Sequence, residues 1–471
     1  MRFTELSQPG FRVATAKIGT RSASLRACWI TALLLALGVR STPPAAGQEP
    51  HGSQATTGQA EAAVPRPEGV VTGLDSLVDE ADRNNPQILA ARHGWKAATQ
   101  VPSQVSTLPD PQITVQQLSV GSPRPFAGFT NIDFAYVGLG ISQDLPYPGK
   151  LRLRGEVAQR GAAAERERYE AVRRSVIDEL KAAYFKLAYE HQELAILDRD
   201  TQLLDQIAKI AEARYRVGQG NQQDVLKAQL EKTKLLRDEA MHHQEHGSLQ
   251  AQLRQILNRP PGQPDILPEP LTETPLSYTV DELLATARNQ NPEVRGEEEM
   301  VQHQSLRLEL ARKDFYPDFN VQYMWQHTAE QFRDYYMLSF GVRVPIYRSR
   351  KQRPEVAQAV EELHRSRREY EAQVQQAYFD IRDQYLRAET AARILKMYRE
   401  GLIPQAAGAF KAGVAAYEAN RQDFETLLAS FLDVLHLDEE YWRALLDHET
   451  ALARLEQVAG ISLTSDAKRT K

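Results

Sequence analysis

Cysteine is almost missing from this chain: there is one, Cys28, in 471 residues. It lies in a segment that reads as a cleavable leader, so the mature chain is expected to have no disulfide and no thiolate chemistry. An excess of one charge sign is missing too. The 57 basic and 62 acidic residues leave a net charge of −5 and are interspersed, which excludes the basic footprint of a nucleic-acid-binding protein. After the leader no run reaches the roughly 20 apolar residues of a membrane-spanning helix. That excludes a helical span but not a β-barrel, whose strands give a weaker signal. No nucleophile, base and orienting group form a set, so neither an enzyme nor a cofactor is expected.

In the leader, Arg2, Arg12, Lys17, Arg21 and Arg26 precede an apolar run at 27–39, and Ala45-Ala46-Gly47 offers small residues for cleavage. Leu25-Arg26-Ala27-Cys28 has lipobox composition but precedes the apolar run, which argues against a lipid anchor. The expected organisation is a signal peptide (1–47), a disordered linker (48–70) and a first structural repeat (71–262). A linker (263–279), a second repeat (280–462) and a C-terminal tail (463–471) follow.

The division into two repeats rests on the chain itself. Asp75 to Pro86, with Leu77, Ala81 and Asn85-Pro86, returns as Asp281 to Pro292, with Leu283, Ala287 and Asn291-Pro292. Leu108-Pro109-Asp110 returns as Tyr316-Pro317-Asp318, Ala183-Tyr184-Phe185 as Ala377-Tyr378-Phe379, and Tyr215 to Gly218 as Tyr417 to Asn420. A period near 200 residues is far longer than a solenoid unit and describes two copies of one domain-sized unit.

Each copy reads helix, strand, strand, very long helix, helix. Phe319, Val321, Tyr323 and Trp325 alternate with polar residues and with Met324; after a turn (Thr328 to Asp334), Leu338, Phe340, Val342 and Val344 alternate in the same way. Such alternation suits a strand between lipid and a wet lumen, and equally a half-buried soluble hairpin. The first copy is fainter: Ile113 and Val115, then Val137, Leu139 and Ile141 across a loop (Val120 to Asp133). Unbroken helical patterns run over 151–217 and 221–257, and again over 355–419 and 421–458. At 1.5 Å per residue the first approaches ~100 Å. Pro404 predicts a kink in the preceding turn, in a stretch weakened by Gly401, Gly408 and Gly413. Gly218 and Asn420 fall at the two hairpin tips, where a left-handed residue ends a helix.

Several side-chain groups invite a functional reading. His242 and His246 are one helical turn apart and form, with Glu245, a His-x-x-Glu-His string. They are weak metal candidates, since two ligands leave zinc half coordinated and a protease would need a third. Tyr323, Trp325, Tyr335 and Tyr336 suit a bilayer-interface girdle, with ordinary aromatic packing as the alternative. Arg343 is expected on the opposite face, toward a lumen.

Taken together, the duplicated Asn-Pro helix, the duplicated order of elements and the tip residues Tyr215, Gly218, Asp224, Val225 and Leu226 resemble the TolC family of bacterial outer-membrane efflux channels, over about residues 74–462. Gln143 to Lys150 and Leu257 to Gly262 look like its cobalt–zinc–cadmium cation-efflux branch. The resemblance implies a mixed fold: duplicated antiparallel helical hairpins in a coiled-coil α-barrel, plus four strands per protomer in a trimeric 12-stranded outer-membrane β-barrel. It implies a homotrimer in outer-membrane lipid with its helices in the periplasm, a periplasmic adaptor (membrane fusion) protein and an inner-membrane pump as partners, and no catalysis. The function would be a passive gated exit duct for metal cations or small toxic compounds.

By the same resemblance Val217, Gly218, Gln219, Ala419, Asn420 and Arg421 would meet the adaptor. Phe319, Val321, Tyr323, Trp325, Leu338, Phe340 and Val342 would face lipid. Asp224, Asp423 and Glu425 are aperture candidates, although the chain departs from the family where Thr426 and Ala429 stand in place of constriction aspartates. A type I protein-secretion channel shares this architecture. A periplasmic coiled-coil adaptor or scaffold would share the helical hairpins without needing the strand hairpins.

Overall fold

The structure, a computed structural model, describes residues 69–118, 135–328 and 333–463. The expected signal peptide, most of the 48–70 linker, the Val120 to Asp133 loop, the middle of the Thr328 to Asp334 turn and nearly all of the C-terminal tail lie outside the described residues. The first repeat comprises β1 (Gly69–Val71), α1 (Leu74–Asn84), α2 (Pro86–Ala98), α3 (Val101–Ser106), β2 (Gln112–Leu118), β3 (Tyr136–Leu145), α4 (Lys150–Arg216) and α5 (Gln222–Ile256). After β4 (Asp265–Leu267), the second comprises α6 (Val280–Gln290), α7 (Pro292–Lys313), β5 (Asp318–Thr328), β6 (Tyr335–Arg343), α8 (Gln352–Met397), a π-helical turn (Tyr398–Leu402), α9 (Ile403–Glu418) and α10 (Phe424–Ala459).

Two differences from the sequence reading concern boundaries. Gly69 and Val70, assigned to the linker, pair in parallel with Asp265 and Ile266. Three-residue strands carry too little pattern to be seen in a sequence. The second long helix, read as continuous from 355 to 419, breaks at the π-helical turn. There the Ile403 N–H donates to the Tyr398 carbonyl, and the widened turn sits just where the ring of Pro404 would press on the preceding turn.

The duplicated Asn-Pro now has a physical meaning. Asn85 Oδ1 accepts the N–H groups of Gln87 and Ile88 at 2.8 and 3.1 Å, capping α2, while its Nδ2 donates to the Ile256 carbonyl at the end of α5 (2.7 Å). Asn291 repeats this, accepting from Glu293 and Val294 at 2.8 and 3.0 Å and donating to the Val458 carbonyl of α10 at 2.8 Å. Proline follows at the first helical position, where an amide hydrogen is not needed. Each buried amide thus fastens the end of one helix to the start of another. Gly460, at φ 80°, ends α10 beside this joint, and a Cβ there would lie 2.7 Å from the Gln290 carbonyl oxygen.

Against these joints pack Leu77 and Ala81 of α1 and their counterparts Leu283 and Ala287 of α6, all fully buried. One apolar cluster surrounds Leu180, Tyr184 and Leu253, and another surrounds Ile381, Leu452 and Leu455. A third, with Leu204, Ile207, Phe424 and Phe431, fills the tip end. Strands β2, β3, β5 and β6 form an antiparallel sheet in that order, so the repeats meet at β3–β5, and among the described residues both outer edges are open.

The joints generate a test. Asn85→Ala and Asn291→Ala each remove a helix cap and strand a buried carbonyl, an expected cost of about 1–3 kcal/mol. Thermal unfolding followed by far-UV circular dichroism should show a lowered midpoint for both. The exposed Asn289→Ala should stay near wild type; an equal loss there would remove the special role of the joints.

Candidate functional site

The sheet has two chemically different faces. Register places Ile113, Ile141, Tyr323 and Leu338 in one cross-strand row, and Val115, Leu139, Trp325 and Tyr336 in the next. Phe319, Val321, Phe340 and Val342 continue this face toward the helices, and all but Val321 among these apolar side chains are exposed. Phe340 is 73% exposed and Ile113 74%, an apolar continuity that a soluble monomer rarely shows water. The other face carries Thr114, Gln116, Ser142, Asn320, Gln322 and Arg343, with Met324 folded over Gly138 and Gly140. Tyr335, grouped in the sequence with the outward aromatics, falls on the face of Arg343, because neighbouring strand residues alternate.

Where strand becomes helix, the Gln143 to Lys150 segment forms a collar. Lys150, at the first turn of α4, is 2% exposed and pairs with Asp314 at 3.0 Å and Asp318 at 2.9 Å. Asp318 also accepts the Tyr147 N–H at 2.8 Å, and Tyr147 stacks on Tyr316 at 4.6 Å. These contacts join the first repeat to the second.

At the far end of the helices, Gly218 (φ 74°) and Asn420 (φ 58°) are both left-handed. Gln219 N–H donates to the Arg214 carbonyl and Arg421 N–H to the Ala416 carbonyl, each at 2.8 Å, the reversal expected of a helix ended by such a residue. Val217 is exposed at one tip, and Ala419 ends α9 at the other.

The sequence reading missed Arg214. Its guanidinium donates to the Tyr417 carbonyl and to Asn420 Oδ1, and lies 4.4 Å from the Tyr417 ring centre, tying one tip to the other. The corresponding second-copy residue is Ala416, so the asymmetry between copies was the available signal. Tyr417 is accordingly buried while its counterpart Tyr215 is exposed.

The aperture candidates all have local partners within the protomer. Asp224 closes a capping box with Asn221, Asp423 caps α10 by accepting the Thr426 N–H at 3.1 Å, and Glu425 pairs with Lys227 at 3.0 Å. His242 and His246 have different surroundings. His242 Nδ1 lies 2.7 Å from Glu190 Oε2 on α4, a hydrogen bond that raises its pKa, while burial lowers that of His246. Among the described residues no group of three or more His, Cys, Asp or Glu side chains is placed to hold a metal. One turn from Glu190, Glu193 is 2% exposed and its Oε1 has no hydrogen-bond partner among the described residues. Burial, and then the charge of Glu439, push its pKa up to about 7.

A family model described as outer membrane efflux protein matches residues 77–259 and 283–460, which are the two repeats. Among solved structures, the outer-membrane channel OprN has a TM-score of 0.73 at 16% identity, covering 83% of this chain and 90% of that one. CusC, studied for folding and transmembrane channel formation, gives 0.71 at 16% identity, with 86% and 96% covered. The outer membrane protein VceC of Vibrio cholerae gives 0.70 at 16%, with 83% and 96% covered. At these identities the likeness shows the fold. No curated protein matches.

Glu193 allows a pH test. Its folded pKa lies above the ordinary 4.5, so the folded state holds the extra proton between that value and about 7. Its stabilising contribution is complete below pH 4.5 and is lost as the pH rises toward 7. Glu193→Gln should therefore gain stability relative to wild type across that window, by about 1–3 kcal/mol at pH 8. Parallel unfolding midpoints of the two proteins from pH 4.5 to 8 would contradict this.

Proposed function

Because the chain belongs to the outer membrane efflux protein family, we propose that it is the outer-membrane exit channel of a tripartite efflux pump, a passive duct gated at its helical tips. The observation that carries this reading is the four-stranded sheet, apolar and exposed on one face, polar on the other, and open at both edges. No described helix is long and apolar enough to cross a membrane, and open strand edges are not tolerated in lipid. In the sheet one edge is β2 of the first repeat and the other is β6 of the second. In the helical layer α5 packs on α4, α4 on α10, and α10 on α8 and α9, which again leaves a first-repeat and a second-repeat element outermost. Edges of this kind close head to tail into a ring. Two protomers would give eight strands, whose interior fills with side chains; three give twelve and leave a lumen lined by the polar face.

The helices extend the lumen. The 67 residues of α4 span about 100 Å, long enough for the periplasmic tunnel of a homotrimer whose tips meet a periplasmic adaptor and, through it, an inner-membrane pump. Metal cations or small toxic compounds are the cargo classes, and the pump supplies energy and selection. The segments that suggested a cation branch have structural work: Lys150 holds the collar, and Asn258, at φ 54°, ends α5 beside the Arg259–Glu80 pair (2.6 Å).

The reading predicts that Gly218→Pro, which cannot adopt a positive φ and lacks the N–H that bonds the Tyr215 carbonyl, abolishes efflux-dependent resistance while trimers persist by native mass. Unchanged resistance would remove the tip assignment. In planar bilayers the wild-type protein should conduct weakly, and Arg214→Ala, which unties the two tips, should raise single-channel conductance severalfold. A protein that neither inserts nor conducts would return the chain to the scaffold class.

A further inference from the structure

Charge is scarce on the polar face of the sheet. Among the described strand residues this face carries Asp144, Asp318 and Arg343, and its other side chains are uncharged. All three charges lie in the rows nearest the helices. The two carboxylates are half-buried and answered within the protomer. Asp144 accepts the Asn320 amide at 2.9 Å. Asp318 accepts the Tyr147 N–H at 2.8 Å and the Lys150 ammonium at 2.9 Å, and Arg154 adds its field.

Arg343 differs on each count. It is exposed, and although it stands opposite Asp318 in the register, that carboxylate is committed to Lys150. Among the described residues no ion pair holds its guanidinium. Beyond β6 the charge keeps its sign: residues 343–353 contain five cations and no carboxylate, whereas the matching stretch of the first copy, 144–154, opens with Asp144 and buries Lys150. Arg348, Arg350, Lys351 and Arg353 are exposed, and Arg348 reaches only the Pro345 carbonyl. Four cations at the start of α8 also oppose its dipole, which is positive at that end, so the stability of the helix does not account for them.

We propose that Arg343, repeated once per protomer, forms a basic ring at the helix-side mouth of the barrel that admits anionic solutes ahead of cations. This rests on the reading of the chain as a ring-forming channel subunit, and it narrows the cargo of that channel. Small compounds carrying a carboxylate, phosphate or sulfonate pass the mouth most readily, and a free metal cation least. The dimensions allow it. Twelve strands about 4.8 Å apart and tilted about 40° close at a radius of roughly 12 Å, and an inward guanidinium stands nearer the axis. The screening length is about 10 Å in 0.1 M salt and about 3 Å in 1 M. The field of the ring therefore reaches across the lumen in dilute salt and collapses in concentrated salt. Rings of Arg or Lys select anions in pores by this means.

The test is the reversal potential of the full chain in planar bilayers across a potassium chloride gradient. Arg214→Ala serves as the parent, so that closed tips do not govern permeation. Chloride should be favoured over potassium about threefold near 0.1 M, and the ratio should fall toward one near 1 M. Arg343→Gln should remove most of this preference and Arg343→Glu should reverse it. Arg343→Lys should keep both the preference and the trimer by native mass, which separates the charge from folding. Arg348→Gln with Arg350→Gln should shift the ratio less than Arg343→Gln alone; an equal shift overturns the assignment to Arg343. A parent that prefers potassium, or an Arg343→Glu channel with the parent's ratio, overturns the basic ring while the channel reading stands. A parent that forms no trimer and never conducts overturns the channel reading itself.

Discussion

Two buried asparagine side chains allow this chain to make rods longer than most of its helices. Each amide caps one helix with its oxygen and holds the end of another with its nitrogen, so α5 continues into α2 and α10 into α7 without exposing unsatisfied backbone groups. Helix ends normally leave four donors or four acceptors without partners, and a buried end needs them answered. The joints answer some of them with a single residue and leave the chain free to leave the rod, form strands and return. Everything outside the rods, including the sheet, depends on that freedom.

The two repeats use the same plan with different stiffness. α4 runs unbroken over 67 residues, whereas its counterpart is divided by a turn whose hydrogen-bond ladder is offset by one residue, followed at once by Pro404. Tyr398 and Arg399 tie that turn to Glu440 and to Glu273 between the repeats, at 2.8 and 2.7 Å. A helix with an offset ladder and a missing amide bends at lower cost than an intact one. The first hairpin is therefore the strut, and the second carries the compliance at a defined point. Arg214 reaching across to Tyr417 couples the compliant tip to the rigid one.

Much of this was legible in the sequence because duplication doubles every weak signal. One Asn-Pro is a common turn; two in register, each preceded by Leu and Ala at helical spacing, mark a shared structural task. The left-handed residues at 218 and 420 could be read for the same reason. Periodic apolar residues gave the strands and the helix ends within a few residues. Features without a period stayed hidden. The three-residue pairing of β1 with β4 depends on Gln250, whose amide bonds both backbone groups of Ile266 from a neighbouring helix (2.8 and 3.1 Å). The π-helical turn arises where a local proline meets contacts distant in sequence. Of the site, the apolar strand face was legible apart from Tyr335, which falls on the polar face, while the partners of Asp224, Asp423 and Glu425 came only with geometry.

The interface between the repeats is more ionic than a domain core of this length would suggest. Lys181 meets Glu456, Arg454 meets Asp178 at 3.1 Å, Arg295 meets Glu167 at 3.0 Å, and Arg199 meets Asp438 at 2.7 Å, each joining one repeat to the other. Only Lys181–Glu456 is buried at both ends, where desolvation offsets most of the attraction and removing one partner is costly; in the other three the arginine is about half exposed and solvent screens the pair. Their value lies in position. Apolar helix faces built of Leu and Ala can slide by a turn with small loss, whereas a carboxylate displaced by 5.4 Å leaves a charge buried and alone. Pairs spaced along α4 from Glu167 to Arg199 therefore fix the longitudinal register of the rods. The sheet at one end and the tips at the other, some 100 Å apart, inherit that register, which sets the height of the sheet's outer strands relative to the rods.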